Sequence, residues 1–266
     1  MYPTKVVRGV TLRADPARES CFKVVSDAAE LADYADMSEV ARRQRLHKHM
    51  HNEIQSLEMA AQSLADFPDA PWDVRMGLAR QCWDETRHSR VLYRRLRELG
   101  GYKGEFPVMN YEWGVTCMMD SLSARLAIQN RTFEGGEIDL LRHLVGVWRE
   151  AGDDTTAEML DGVLADEIQH VRLANQWFKR MSQQDPTVLL KLASAVSFLK
   201  RVTLAFQPAP GEVNAAGVDL TGFEHVEMLS NVEDRLHAGF TEREIEQIQL
   251  QESRLRATST DKTRTS

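Results

Sequence analysis

At 266 residues, with 42% hydrophobic and 27% charged side chains, the chain has the composition of one sizeable globular domain and is not disordered, fibrous or membrane-embedded. A formal charge of −7 argues against a broad nucleic-acid-binding face, although the run ARRQRLHKHMH is a local basic exception. Cys21, Cys82 and Cys117 show no CxxC spacing, which excludes a zinc knuckle or rubredoxin-type iron site and fits a reducing compartment.

Residues 1–37 mix Pro, Gly and charge without strong periodicity and read as an extended arm with a short helix at SDAAELADYA. Helix formers with apolar residues at helical spacing then run from 38 to 64, until Pro68 and Pro71 in DFPDAP stop them. A second helix spans 72–99 and ends at Gly100-Gly101. The turn-rich stretch 100–114 is long enough to cross from one end of a bundle to the other. A third helical stretch starts near 115, with a break expected at Gly135-Gly136, and a fourth runs over 154–182 behind Asp153 or Asp154 as N-cap. Helices near 186–206, 221–235 and 241–256 follow, the last opened by the capping box Thr241-x-x-Glu244. Two helical pairs joined by a long crossover give an all-α, ferritin-like four-helix bundle. Its expected parts are an arm over 1–37, a bundle over 38–183, a C-terminal helical extension over 184–256 and a disordered tail over 257–266. No apolar run is long enough for a membrane span and no export signal opens the chain, so a cytoplasmic location is expected.

The chemistry lies in a repeat. DETRH at 84–88 and DEIQH at 166–170 write Asp-Glu-x-x-His twice, 82 positions apart. Glu at i and His at i+3 share one helix face and can hold a single metal. With 22 Glu and 8 His, composition alone yields about 0.7 Glu-x-x-His spacings and about 0.05 with the leading Asp, so two are not accidental. Each motif also has a carboxylate on the preceding helix: Glu53 lies 32 residues before Glu85, and Glu134 lies 33 before Glu167. Glu53, Glu85, His88, Glu134, Glu167 and His170 together make the four-carboxylate, two-imidazole set of a di-metal bundle. Oxygen and nitrogen donors without thiolate suit two iron ions, with manganese as the alternative.

Asp84 and Asp166 read as partners of the second ring nitrogen of the opposite histidine, Asp84 for His170 and Asp166 for His88. Glu58 and Glu137 compete with Glu53 and Glu134 as ligands, while His49 and Arg131 are candidate pocket residues. Arg125 and Arg131 suit either an anionic substrate or ion pairs, and Trp83, Trp148, Trp177 and Tyr93 read as core.

The segments HNEIQSLEMA, WDETRHSRVLYRRLRELG, RLAIQNRTFEGGEID and DEIQHVRLANQWF, with GEVNAAGVDLTGF after them, resemble an uncharacterised ferritin-like family labelled a domain of unknown function. The resemblance covers about residues 40–222. More distantly, the chain is similar to tRNA-modifying non-haem di-iron hydroxylases and other di-iron oxygenases. The resemblance implies the fold and the same six ligands, and it carries no substrate. The expected activity is that of an O2-dependent di-iron oxidase or oxygenase acting on a small molecule, by C–H hydroxylation or amine N-oxygenation, with an electron donor. A ferroxidase and a tRNA-modifying hydroxylase are the alternatives. Nucleic-acid and membrane partners are not expected, and a homodimer is compatible with the sequence.

Overall fold

The computed structural model describes residues 2–220 and 230–250. It is mostly helical, with long packed helices. The arm opens with a hairpin of β1 (Thr4–Val7) and β2 (Val10–Arg13), turned at Arg8-Gly9, where both residues have positive φ. A single 3-10 turn, Ala28–Glu30, capped by Asp27, stands where a short helix was expected at SDAAELADYA. Glu30 closes the cap from its third position, and three residues are all that this cap sustains.

Helices α1 (Glu39–Asp66) and α2 (Trp72–Glu98) form a tight hairpin across a five-residue Pro-bounded loop. The crossover then adds β4 (Val108–Met109), which pairs in parallel with β3 (Val24–Val25) of the arm, and α3 (Tyr111–Thr116). The third long rod is composite: α4 (Leu122–Leu126), a π-helix over Ala127–Glu134, and α5 (Gly135–Glu150). The break expected at Gly135-Gly136 is not there. The irregularity comes one turn earlier, as π-helix, and the two glycines lie within regular helix. A three-residue turn leads to α6 (Asp154–Gln184), whose N-cap is Asp153, its side chain accepting from Thr156 N.

Beyond these rods, α7 (Thr187–Ala205) packs on α4 and the π-helix, and α8 (Val232–His237) packs on α5 and α6. A buried ion pair between Arg235 and Asp139, 2.7 Å, ties α8 to α5. The helix expected near 221–235 falls partly outside the described residues, as do the end of the 241–256 helix and the tail. Within the described part, Thr241 and Glu244 make the reciprocal capping bonds and helix continues through 242–250.

Apolar side chains gather in several clusters, two of which lie across the long rods. Leu46, Met50, Leu92, Leu96, Ile138, Leu141 and Leu160 belong to one, and Ala60, Val74, Leu78, Leu126 and Ala174 to the other. Along α1 the chain passes from the first layer to the second through Glu53, and along α2 it passes back through Glu85 and His88. The acidic repeat therefore lies in a polar slice between two layers that exclude water. The phase that turns Glu85 and His88 inward turns Trp83 outward. Trp83 is 61% exposed and Tyr93 also faces solvent, so neither is core, whereas Trp148 is buried.

Candidate metal centre

Glu53, Glu85, His88, Glu134, Glu167 and His170 are each at most 4% exposed. Six ionisable groups without water are costly unless opposite charge accompanies them. The structure brings all six together. His88 Nδ1 stands 3.1 Å from Glu85 Oε2 and 3.3 Å from Glu167 Oε1, and His170 Nδ1 stands 3.2 Å from Glu167 Oε2 and 3.4 Å from Glu85 Oε1. Glu85 and Glu167 thus each offer one oxygen to each imidazole. Glu53 Oε2 completes the His88 side at 3.3 Å, and Glu134 joins Glu167 and His170 on the other.

The outer ring nitrogens are held crosswise. His88 Nε2 lies 3.2 Å from Asp166 Oδ2, and His170 Nε2 lies 3.2 Å from Asp84 Oδ2. With Nε2–H donated to an aspartate, each imidazole presents Nδ1 inward as a lone pair when neutral. Arg87 NH2 donates to both aspartates, 2.6 Å to Asp84 and 2.8 Å to Asp166. These partners offset burial and keep both aspartates below the usual carboxylate range. Arg87 was not singled out in the sequence, where it is simply the residue before His88.

Glu134 is clamped by amides. Gln81 donates to Oε1, Gln129 donates to Oε1 at 3.2 Å, and Asn130 donates to Oε2 at 2.7 Å; Gln81 also donates to Glu85 at 3.3 Å. The π-helix carries Gln129, Asn130 and Glu134 together, a setting in which such wide turns recur at functional sites. Nothing in the local pattern of neutral amides marks them beforehand.

The carboxylates and imidazoles of the slice shift one another strongly. Burial, then the neighbouring Glu167 charge, pushes Glu134 up to about 8, and Glu85 is driven well above its ordinary value by the same two effects. Both histidines are raised far above theirs, because surrounding carboxylates outweigh burial. Glu53 Oε1 and Glu167 Oε1 are buried and accept no well-formed hydrogen bond, although imidazole nitrogens stand 3.0 and 3.3 Å away. Orphaned carboxylate oxygens facing imidazole nitrogens are donors that fit divalent metal ions. Among the described residues, three groups have ligand atoms all within 4.8 Å: Glu53, Glu85, His88 and Glu167; Glu134, Glu167 and His170; and His49, Glu53 and Glu137. None contains a cysteine.

The remaining candidates separate clearly. Glu58 pairs with Arg18 and belongs to none of these groups. Glu137 does join the cluster, through His49 Nε2 at 3.0 Å. His49 lines a cavity of about 190 Å³, bounded on its apolar side by Leu140, Leu144 and Trp148. A second cavity of about 230 Å³ shares Asp33, Lys48 and Asn52 with it and reaches Glu112. Arg131 lines neither: its guanidinium meets Glu244 at 2.6 Å and stacks on Phe178 and Phe240, which turns it toward the C-terminal segment. Arg125 is spent on Asp66, 2.6 Å.

The basic run of α1 is tied down, and half of its Lys and Arg charge is paired. Arg43 pairs with Glu105 and Lys48 with Asp33, while Arg42 and Arg45 donate to backbone carbonyls. No helix among the described residues is long and apolar enough to cross a membrane.

Residues 4–246 match the family described as protein of unknown function (DUF455). The chain belongs to the DUF455 family. It is similar to an uncharacterized protein of Haemophilus influenzae, 23% identical over 220 residues that make up 80% of this chain and 69% of the relative. No solved structure matches it significantly. Membership in DUF455 carries no activity, so function is argued from the buried cluster.

Proposed function

We propose that this DUF455 protein is a ferritin-like, non-haem di-iron oxidoreductase that uses O2 to oxidise a small organic molecule, with manganese as the alternative metal. The observation that carries the reading is the shared geometry of Glu85 and Glu167, each with one oxygen toward each imidazole, between the outer carboxylates Glu53 and Glu134. Glu53, Glu85, His88 and Glu167 would hold one ion, and Glu134, Glu167, Glu85 and His170 the other. When bound, a reduced iron pair supplies electrons that activate O2.

The chain's own groups prepare that chemistry. Asp84 and Asp166 hold the Nε2 protons and aim both Nδ1 atoms inward, and Arg87 fixes the two aspartates together. Gln81, Gln129 and Asn130 keep Glu134 in one orientation. The two apolar layers keep bulk water out. Hydroxylating R–H to R–OH with O2 also releases one water and takes two electrons and two protons, so a separate electron donor belongs to this reading.

A cavity lined by Leu140, Leu144, Trp148, His49 and Glu137 favours a small molecule over bare iron handling. Pairing of Arg43 and Lys48 with carboxylates leaves less of the basic run on α1 for phosphates, which speaks against the tRNA alternative. Anaerobic loading with Fe(II), metal analysis and O2 uptake test the reading. At least two irons per chain are expected, with O2 consumed on mixing and the paired site emptied in a His88→Ala, His170→Ala double variant. Fewer than two irons, or unchanged binding in that variant, sinks the ligand assignment. O2 uptake that no small organic substrate accelerates points to a ferroxidase instead.

A further inference from the structure

His49, Glu53 and Glu137 form a donor group that shares only Glu53 with the paired site. His49 Nε2 lies 3.0 Å from Glu53 Oε1 and 3.0 Å from Glu137 Oε1, so one imidazole nitrogen and two carboxylate oxygens converge from α1 and α5. Two features distinguish the group from an ordinary ion triad. Glu53 is 2% exposed, and its Oε1, the oxygen aimed at this group, accepts no well-formed hydrogen bond. Its nearest partner is one imidazole nitrogen that it shares with Glu137, a donor arrangement that suits a cation. The group also has an entry path. His49 and Glu137 line the cavity of about 190 Å³, whose wall includes Lys48, a side chain 47% exposed.

We propose that His49, Glu53 and Glu137 form a third divalent-cation site, on the cavity side of the paired site, for a transition ion such as Fe(II) or Mn(II). Glu53 then joins the two regions, with Oε1 toward the third ion and Oε2 toward the ion at His88. One imidazole nitrogen among oxygen donors selects a transition ion over Ca²⁺ or Mg²⁺, which take oxygen alone. Water from the cavity fills the remaining positions. This inference rests on the di-metal reading, because it assigns Glu53 to both sites.

The test is anaerobic loading of the full-length, metal-free protein with Mn(II), counted by equilibrium dialysis and located by anomalous diffraction. Three ions per chain are expected, the weakest lying between His49, Glu53 and Glu137. Glu137→Gln and His49→Gln should each remove that ion and keep the other two. Two ions with the His49–Glu137 ion pair intact, or a third ion elsewhere, overturns the third site and leaves the di-metal reading standing. Fewer than two ions overturns both. If either variant fails to fold, as judged by its melting curve, the ion positions in the unaltered protein still decide.

Discussion

The two halves of the cluster are near copies in sequence and unlike in environment. Around His170, Glu134 is fastened by three amides and stands away from both cavities. Around His88, the equivalent Glu53 is flanked by an imidazole and a further carboxylate that open onto a cavity. Position 49 lies four residues before Glu53, and position 130 lies four before Glu134, so the same helical offset carries His in one half and Asn in the other. A neutral amide donates to its carboxylate and fixes it, whereas an imidazole can trade a proton for a metal. The repeat supplies matching donors, and the residue one turn away gives Glu134 an amide and Glu53 an imidazole.

The largest expected effects come from the carboxylates common to both halves. Glu85→Ala or Glu167→Ala should lose both ions, whereas Glu53→Ala or Glu134→Ala should lose the ion of its own half first. Metal titration of the four variants checks this, and equal losses in all four would show that the halves do not act separately.

Metal-free protein should lose stability as pH rises from about 4.5 to about 8. Glu134 and Glu137 have folded-state values raised to about 8 and about 7, by burial first and then by neighbouring carboxylates. A raised value means that the folded state binds more protons, so the associated stability is complete below the unfolded value and drains away as pH rises through the folded one. Glu53, Glu167 and the two aspartates, shifted down, act only in acid and do not oppose this. The loss is on the order of a few kcal/mol. Melting curves across this range should slope downward without metal and flatten with it.

Smaller and more diagnostic are the crosswise aspartates. Asp84→Asn should weaken the His170 half and Asp166→Asn the His88 half, each by about 10–100-fold in metal affinity. Spectra of cobalt-substituted protein would reveal which histidine is disturbed, and an effect on the histidine of the same motif would refute the crossing. Arg87→Ala should weaken both halves alike and by less, since each aspartate keeps its bond to histidine.

Much of this architecture was legible because it is written in long periods and clear stops. Pro68 and Pro71 bound α1 and α2, Asp153 caps α6, and Thr241 with Glu244 caps the last described helix. What escaped depends on distant partners. Val24–Val25 become strand only beside Val108–Met109, and a hairpin of four-residue strands is too short for its alternation to stand out. The π-helix has no local signature. In the site, repetition singled out the six side chains that converge and the two aspartates that face the opposite histidines. Gln81, Gln129 and Asn130 carry no charge and no repeat, and Arg131 is drawn away by Glu244, more than a hundred positions later.

The crossing of Asp84 and Asp166 also bears on the order of assembly. Each histidine takes its carboxylate partner from the other helical hairpin, so neither hairpin by itself can orient its own imidazole. A nascent chain that has made only α1 and α2 exposes Glu53, Glu85 and His88 without the group that aims His88. On the di-metal reading, tight capture of metal would wait for the two hairpins to dock, and a bound ion would certify a finished fold.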